Sequence, residues 1–443
     1  MGIPAPDDPS HVRRTVHRHA DVIVVGAGIC GTVMAITLAR QSRSVFLLER
    51  SLKEPNRIAL EKLGLRHCLN DIDAIPVKGY QFIYNGEAAA IPYPTDASLP
   101  AGNPRKRAEG LSFHHGRFVQ KMRAVASEEP NITLVQGTGQ VLGDFFFAPL
   151  TIIADGYRSN FRGEIGSRKP ASASRFWALE LKDAILPSPG FGHVFLGKFS
   201  PVLLYQIGTH ETRALVNVLE GLPSARPANG GELVPNLPPC IRPAFSKSLE
   251  DGHLRCMPNY FLPAASNRSP GLIVAGDALN MRHPLTGGGM TVALSDVVLL
   301  GELLSPCSVP NFDEVEMILR QMRRFHCRRK RHASVINILA QTLYALFAAA
   351  ADDYYLNALR QGCFDYFKLG GACADGPAGL LGGTQRQPFV LLYHFFAVAL
   401  LAACTLLRAQ PIWRLPLSLI ECAGVFAKAC RVIFPYIASE FAL

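Results

Sequence analysis

Residues 21–49 read DVIVVGAGICGTVMAITLARQSRSVFLLE, and they decide how the chain begins to fold. Residues 21–25 are a short apolar run of strand length. Gly26-Ala27-Gly28-Ile29-Cys30-Gly31 follows as G-x-G-x-x-G. Residues 32–42 continue as a helix, and residues 44–48 (SVFLL) form a second strand closed by Glu49 and Arg50. Glycines at this spacing allow a tight turn, close backbone approach to a pyrophosphate and close packing of helix on strand. Glu49 lies 21 residues beyond Gly28, where a carboxylate meets the ribose of an adenosine. The glycine pattern alone would also fit a turn with no ligand. The strand before it, the helix after it and the acid beyond make it a dinucleotide-binding βαβ opening.

A second glycine cluster lies far downstream. Residues 271–275 (GLIVA) read as a buried strand, ended by Gly276-Asp277. Pro284 stiffens the loop, Gly287, Gly288 and Gly289 follow, and residues 290–304 have the length and apolar content of a helix starting at Met290. Glycines before a helix leave backbone N–H groups uncovered, and the dipole there favours negative charge. Residues 149–154 (PLTIIA) form another strand, ended by Asp155-Gly156. If Gly26, Gly28, Gly31 and Glu49 hold an adenosine diphosphate end, Asp277 and the Gly287–Gly289 helix start lie further along the same extended ligand. A ligand that needs both is FAD rather than NAD. There is no second G-x-G-x-x-G, so electrons must come from a partner protein or a nicotinamide site of another kind. Between the two halves, residues 161–262 alternate in short apolar runs (194–196, 202–205, 214–218), which predicts a mostly antiparallel inserted sheet.

Composition points to a membrane. Of the 443 residues, 49% are hydrophobic and only 18% charged, and mean hydropathy is positive at +0.15. The net charge of +10 is not interleaved with aromatics along one stretch, which favours an anionic membrane face or an acidic partner over nucleic acid. The 11 cysteines include no C-x-x-C and read as reduced thiols of a cytosol-facing protein. The N-terminal 20 residues have no apolar core of a secretory signal and read as a flexible tail. Residues 313–332 carry a basic run (Arg320, Arg323, Arg324, Arg328, Arg329, Lys330, Arg331), read either as a solvated helix face or as a face resting on acidic headgroups or an acidic partner. Residues 376–383 read as a glycine-rich loop. Residues 388–407 are twenty residues with no formal charge, and residues 415–437 are a second apolar segment containing Glu421, Lys428 and Arg431. This pair fits a membrane-embedded hairpin or a monotopic anchor. No hydrolase triad order, H-E-x-x-H or metal cluster stands out; His114-His115 read either as ligands or, better, as supporting or packing residues beside Arg117. A reduced flavin turns O2 into an electrophilic oxygen donor if the protein supplies a dry pocket. The apolar C-terminal part suggests an apolar substrate taken from the membrane.

The segments GLSFHHGRF, APLTIIADG, GLIVAGDALNMRHPLTGGGMTVALSD, NILAQTLYALF, YFKLGG, HFFAVA and VIFPYI, in this order, resemble squalene monooxygenase (squalene epoxidase) of the flavoprotein monooxygenase superfamily. The resemblance implies an α/β fold: a Rossmann-like FAD-binding domain of the glutathione-reductase/p-hydroxybenzoate-hydroxylase type, an inserted antiparallel β substrate domain, and a C-terminal helical membrane-associated region. The expected division is a tail (1–20), FAD domain (21–160 and 263–304), substrate domain (161–262) and helical region (305–443). The resemblance implies FAD-dependent 2,3-epoxidation of squalene with O2, using electrons from NADPH through cytochrome P450 reductase, at the endoplasmic reticulum membrane with the catalytic part cytosolic. Carried over by position, it implies flavin contacts at Glu49, Arg50, Arg57, Arg117, Asp155, Asp277 and Met290. It implies Tyr80 as the catalytic-site aromatic beside the flavin. Tyr205, Pro284, Leu285, Phe347, Phe364, Phe367, His394 and Phe395 become candidates for the squalene pocket or its rim; on spacing alone they would read as core. The chain also departs from the family pattern. A Gly-Glu-x-x-Gln-Pro-Gly-Gly segment expected after Arg57-Ile58 is missing, with the glutamine expected to hold the Tyr80 hydroxyl. The hairpin expected between Gln140 and Pro149 is reduced to VLGDFFFA. These losses leave a diverged membrane flavoprotein or lipid-binding paralogue, or an epoxidase of another polyisoprenoid, as alternative readings.

Overall fold

The apolar runs around the first glycine turn become the centre of a parallel sheet. In a computed structural model, which describes residues 16–49, 63–95, 107–137, 144–165, 169–197, 199–219, 233–348 and 353–441, Val22–Val25 pairs on one side with Val45–Glu49 and on the other with Leu150–Ile153. Leu272–Val274 and Ile132–Gln136 complete the five strands, in the order 272–274, 150–153, 22–25, 45–49, 132–136, all parallel. A parallel sheet must be covered on both faces, so its strands are apolar throughout rather than alternating. Val22, Val24, Leu47, Ile152 and Ile273 are accordingly fully buried, beneath the helices Ile29–Ala39, His115–Glu128 and Gly289–Leu303. Because the strands run the same way, Glu49, Gly26, Asp155 and Gly276 all emerge at one edge.

Two glycines are required here by contact. A Cβ on Gly31 would lie 1.8 Å from the Gly26 carbonyl oxygen. Gly26 has φ +100°, and a Cβ there would lie 2.5 Å from the Ala154 oxygen. The turn is thereby pressed onto the neighbouring strand end.

The second sheet has seven strands in the order Arg255–Phe261, Ala171–Lys182, Glu211–Leu219, Val202–Gln206, Phe191–Leu196, Gly79–Tyr84, Glu87–Pro92. All pairings are antiparallel except Phe191–Leu196 with Gly79–Tyr84. Five strands come from the stretch expected to be inserted; two come from residues 79–92, within the stretch expected to belong to the first domain. Local alternation identifies a strand but not the sheet it joins. The shortened VLGDFFFA segment still supplies a strand, Asp144–Phe147, which pairs with Val16–His19 at the end of the expected tail.

The C-terminal part is helical: Val315–Phe347, Tyr354–Lys368, Ala372–Leu381, Pro388–Ala409 and Leu415–Phe441. The last two form an antiparallel hairpin whose tip, Ile412 and Trp413, is 88% and 82% exposed. Among the described residues, Pro388–Ala409 is the helix long and apolar enough to cross a membrane. Two expectations change. Most of residues 376–383 lie in a helix, because Gly376 lets it seat against the His394 ring: a Cβ there would lie 2.0 Å from His394 Nε2. The basic run is not one surface face. Arg320, Arg323, Arg324, Arg328 and Arg331 are exposed, but Arg329 is 2% exposed. Its guanidinium donates to both oxygens of the equally buried Asp296, at 3.1 and 2.8 Å. An unpaired charge at this depth would cost several kcal/mol, so the pair is what permits its burial.

Arg329→Met is expected to lower stability by about 3–5 kcal/mol, since it leaves the buried Asp296 carboxylate without its guanidinium partner. Arg331→Ala, on the exposed face, is expected to change it by less than about 0.5 kcal/mol. Chemical unfolding of the two variants checks this, and equal losses would contradict it.

Candidate functional site

The edge where the parallel strands end is bound together by side chains from three segments. Glu49 Oε2 accepts the Ala27 N–H at 2.6 Å and lies 3.3 Å from Arg123 Nη2. Arg123 also donates through Nε to the Ala27 carbonyl at 2.7 Å. Arg123 is buried; loss of hydration lowers its pKa, and Glu49 opposes that shift. Across the edge, Asp155 accepts the Asn160 N–H at 3.2 Å, while its Oδ1 is buried with no protein partner. Arg162 spans the next gap, donating to the Tyr157 carbonyl at 3.1 Å and the Ala278 carbonyl at 3.4 Å. The Cys30 side chain fills the space beside Gly276, and burial pushes its thiol pKa up, so it is held protonated.

Asp277 sits at this junction. Its side chain has exposed surface, yet withdrawal of water raises its pKa, with Arg282 and Arg162 pulling the other way. Both facts follow if the carboxylate lies on the floor of a cleft, open above and walled by protein around it.

The Gly287–Gly289 loop is held from behind. Arg282 Nη1 donates to the Gly289 carbonyl at 3.2 Å and the Gly288 carbonyl at 3.4 Å; Arg282 Nη2 donates to Asn280 Oδ1 at 2.9 Å. His283 is buried and stacks on Tyr344 at 3.8 Å between ring centroids, and its Nδ1 accepts the Leu285 N–H at 3.2 Å. A Cβ on Gly288 would lie 2.4 Å from Ile336 of the Val315–Phe347 helix. On the other side there is space: a Cβ on Gly28, Gly287 or Gly289 would meet nothing within 4 Å. Gly28 and Gly288 cap their helices without a side-chain hydrogen bond. Open glycines at two uncapped helix starts, an orphaned Asp155 oxygen between them and a carboxylate at each end make a donor set that fits FAD.

Other candidates fall into two groups. Met290 lies on the first turn after Gly289, packed against the core of the first domain. Arg117 faces a different neighbourhood, 3.5 Å from Asp73, which is itself held by the Thr209 N–H and hydroxyl. His114 caps the same helix and lies 3.4 Å from Glu211, and no metal-binding group occurs among the described residues. Arg50 and Arg57 lie outside the described residues. The remaining candidates gather in one apolar cluster between the seven-stranded sheet and the C-terminal helices. Phe347 and Phe367 flank Phe82 at 5.4 and 5.2 Å; Phe364 packs edge-on to Tyr84 at 5.8 Å. Phe395 is buried, and His394 hydrogen-bonds the Tyr366 hydroxyl at 2.8 Å. Tyr205 and Leu285 pack on the margin of the cluster, and Pro284 opens the short turn that carries Leu285.

Tyr80 is also on this margin. Its ring is edge-on to Tyr93 at 5.8 Å. Burial, with Tyr93 adding to it, raises the Tyr80 pKa strongly, so the hydroxyl stays protonated. Tyr93, Arg123, Arg162, Arg282 and the Asp296–Arg329 pair were not singled out from the sequence. Asp296 carried a usable signal: a carboxylate midway along the apolar run of residues 290–301 needs a buried cation.

The chain matches the family model described as squalene epoxidase over residues 147–420. It is 51% identical over 471 aligned positions to squalene epoxidase erg1 of Aspergillus fumigatus, covering 98% of this chain and 96% of that one. It is 38% identical to squalene monooxygenase of Mus musculus, covering 95% of this chain and 78% of that one. The first alignment is longer than the 443 residues of this chain, so that relative has segments absent here. Among solved structures the fold is similar to pqsL, a probable FAD-dependent monooxygenase from Pseudomonas aeruginosa, with TM-score 0.63, 17% identity and coverage of 75% and 98%. It is similar also to the flavin-dependent brominase Bmp2, with TM-score 0.64, 14% identity and coverage of 86% and 98%.

Burial holds the His283 pKa near 3 and that of His193 near 4, below the ordinary 6.5. Both are neutral in the fold and gain a proton on unfolding below pH 6.5. Their contribution is therefore complete above pH 6.5 and is lost as pH falls toward 4 and then 3. Stability measured by denaturant unfolding is expected to decline over that window, with a shallower slope in His283→Gln; an unchanged slope would contradict the assignment.

Proposed function

The chain belongs to the squalene epoxidase family, and on that premise we propose that it is an FAD-dependent monooxygenase converting squalene to 2,3-oxidosqualene for sterol or related triterpenoid synthesis. The observation that carries the reading is the double face of the 284–289 loop. Gly287 and Gly289 border open space beside Asp277, while Gly288 and Leu285 pack against Ile336 and the aromatic cluster. On this reading the loop stands between the cofactor site and the apolar cluster.

In this reading Gly26, Gly28, Gly31 and Glu49 hold the adenosine diphosphate half, with Arg123 fixing the Glu49 carboxylate. Arg50, Arg57, Arg117 and Asp155 are assigned to the cofactor by family position. Asp277, Gly287, Gly288, Gly289 and Met290 hold the flavin half. When bound and reduced, FAD supplies the activation of O2 to an electrophilic oxygen. The protein's own part is positional. The Gly289–Leu303 helix start presents positive potential where negative charge would develop. The protonated Tyr80 hydroxyl acts as a hydrogen-bond donor and not as a base.

Squalene has no polar group, so it cannot be aligned by hydrogen bonds. Phe347, Phe364, Phe367 and Phe395 select it by shape and keep water out, with Tyr205, Pro284, Leu285 and His394 at the rim. The electron source is assigned to NADPH through cytochrome P450 reductase. The membrane is assigned to the endoplasmic reticulum, entered monotopically by the 388–441 hairpin: Phe389, Tyr393, Ile412, Trp413 and Ile420 are 66–88% exposed, a surface that favours lipid over water.

Incubation with squalene, FAD, NADPH and the reductase is expected to yield 2,3-oxidosqualene; flavin-loaded protein that yields none, or that oxidises only another polyisoprenoid, would overturn the assignment. Asp277→Ala is expected to purify with less than about a tenth of the native FAD content; full occupancy would refute the cleft. An Ile412→Asp/Trp413→Asp double variant is expected to lose co-flotation with phospholipid vesicles, and undiminished flotation would argue against the hairpin tip as the anchor.

A further inference from the structure

The last helix of the chain ends inside the cofactor half of the molecule. Glu440, 6% exposed, is a buried carboxylate near the end of the C-terminal hairpin. Its Oε2 accepts the Ser334 hydroxyl at 3.0 Å and its Oε1 accepts Asn337 Nδ2 at 2.8 Å. The same Asn337 Nδ2 donates to Asn280 Oδ1 at 3.0 Å. Asn280 Oδ1 also receives Arg282 Nη2 at 2.9 Å and Arg329 Nη2 at 3.2 Å. Arg282 in turn holds the carbonyls of Gly288 and Gly289. An unbroken set of buried hydrogen bonds therefore runs from the C-terminal helix to the loop before the Gly289–Leu303 helix. Asn280 stays in place through its own donation to the Leu262 carbonyl at 2.7 Å.

The charges explain why a carboxylate stands at its end. Arg282 and Arg329 both converge on one amide oxygen. Asp296, shared between Arg329 and His332 at 2.7 Å, balances one of them. Asp277, then Asp296 and then Glu440 are the anions that offset the cost of burying Arg282. Without Glu440, Asn337 loses the acceptor that orients its amide toward Asn280, and two guanidinium groups share a weakened anchor. In a buried network, deleting one member disturbs groups beyond its direct partners.

We propose that Glu440 is a positioning residue for the flavin, acting through Asn337, Asn280 and Arg282 on the Gly287–Gly289 loop, so that the C-terminal helix is part of the cofactor site as well as a membrane element. This rests on the reading that the loop holds FAD. The relay predicts a defect in FAD affinity that general loosening of the helix would not give. Lys428 supplies the control: its Nζ ties the same helix to Asp353 at 2.6 Å, outside the relay.

The test is titration of FAD into the full-length apoprotein, native and variant, followed by quenching of flavin fluorescence, with thermal unfolding measured in parallel. Glu440→Ala is expected to weaken FAD binding by about tenfold or more at temperatures where the fold is retained. Glu440→Gln keeps an acceptor for Asn337 and is expected to recover most of that loss. Lys428→Ala is expected to lower the unfolding temperature while leaving FAD affinity within about twofold of native. Native affinity in Glu440→Ala would overturn the relay, as would a Lys428→Ala loss equal to that of Glu440→Ala. Native protein that takes up no FAD would instead remove the flavin reading itself, and the relay with it.

Discussion

The buried Asp296–Arg329 pair is the contact on which the rest of the arrangement hangs. It joins the helix that begins at the second glycine loop to the long helix that enters the C-terminal part. Two charges removed from water gain little over well-packed apolar groups, but a pair half broken is very costly. Such a pair therefore fixes relative position more than it adds stability. Around it the two compartments are set: the parallel sheet with its edge of carboxylates and glycines, and the aromatic cluster beneath the seven-stranded sheet.

What could be read in the chain beforehand follows the range of the interactions involved. The βαβ opening was legible because its causes are local: an apolar run, three glycines and an acid at a spacing set by helix and strand lengths. The FAD fold follows from it and agrees with the monooxygenase-like structures to which the chain is similar. The second glycine cluster was legible as a loop before a helix, but not the reason Gly288 is glycine. That reason is Ile336, 48 residues away and on another helix.

The misreadings have the same origin. Nothing in a run of seven basic residues marks Arg329 as different; its burial is decided by Asp296, 33 residues earlier. Glycines at 376, 379, 382 and 383 look like loop from propensity alone, since glycine in a helix costs roughly 1 kcal/mol. Here two of them admit the His394 ring and the Gln385 side chain at contact distance, and packing outweighs propensity. Strands 79–84 and 87–92 alternate as strands should, but their membership of the second sheet depends on partners more than a hundred residues away. Tyr93 as the partner of Tyr80 depends on the fold of residues around both, and no spacing rule would have paired them.

An apolar substrate changes what a site must do. A polar ligand brings its own hydrogen bonds, and a loose loop can close on it. Squalene offers only carbon and hydrogen, so its register against the flavin has to be set by surfaces that are already rigid. On the function proposed above, that demand falls on the 284–289 loop. On the side of the proposed flavin site, Gly287 and Gly289 leave the backbone uncovered. On its apolar side Gly288 must meet Ile336 closely, which excludes a Cβ. A loop so constrained has no side chains of its own to brace it at those positions. Its stiffness must come from behind, from Arg282 on its carbonyls and His283 clamped on Tyr344. Buried polar groups are therefore concentrated behind this loop, where an apolar core would ordinarily stand.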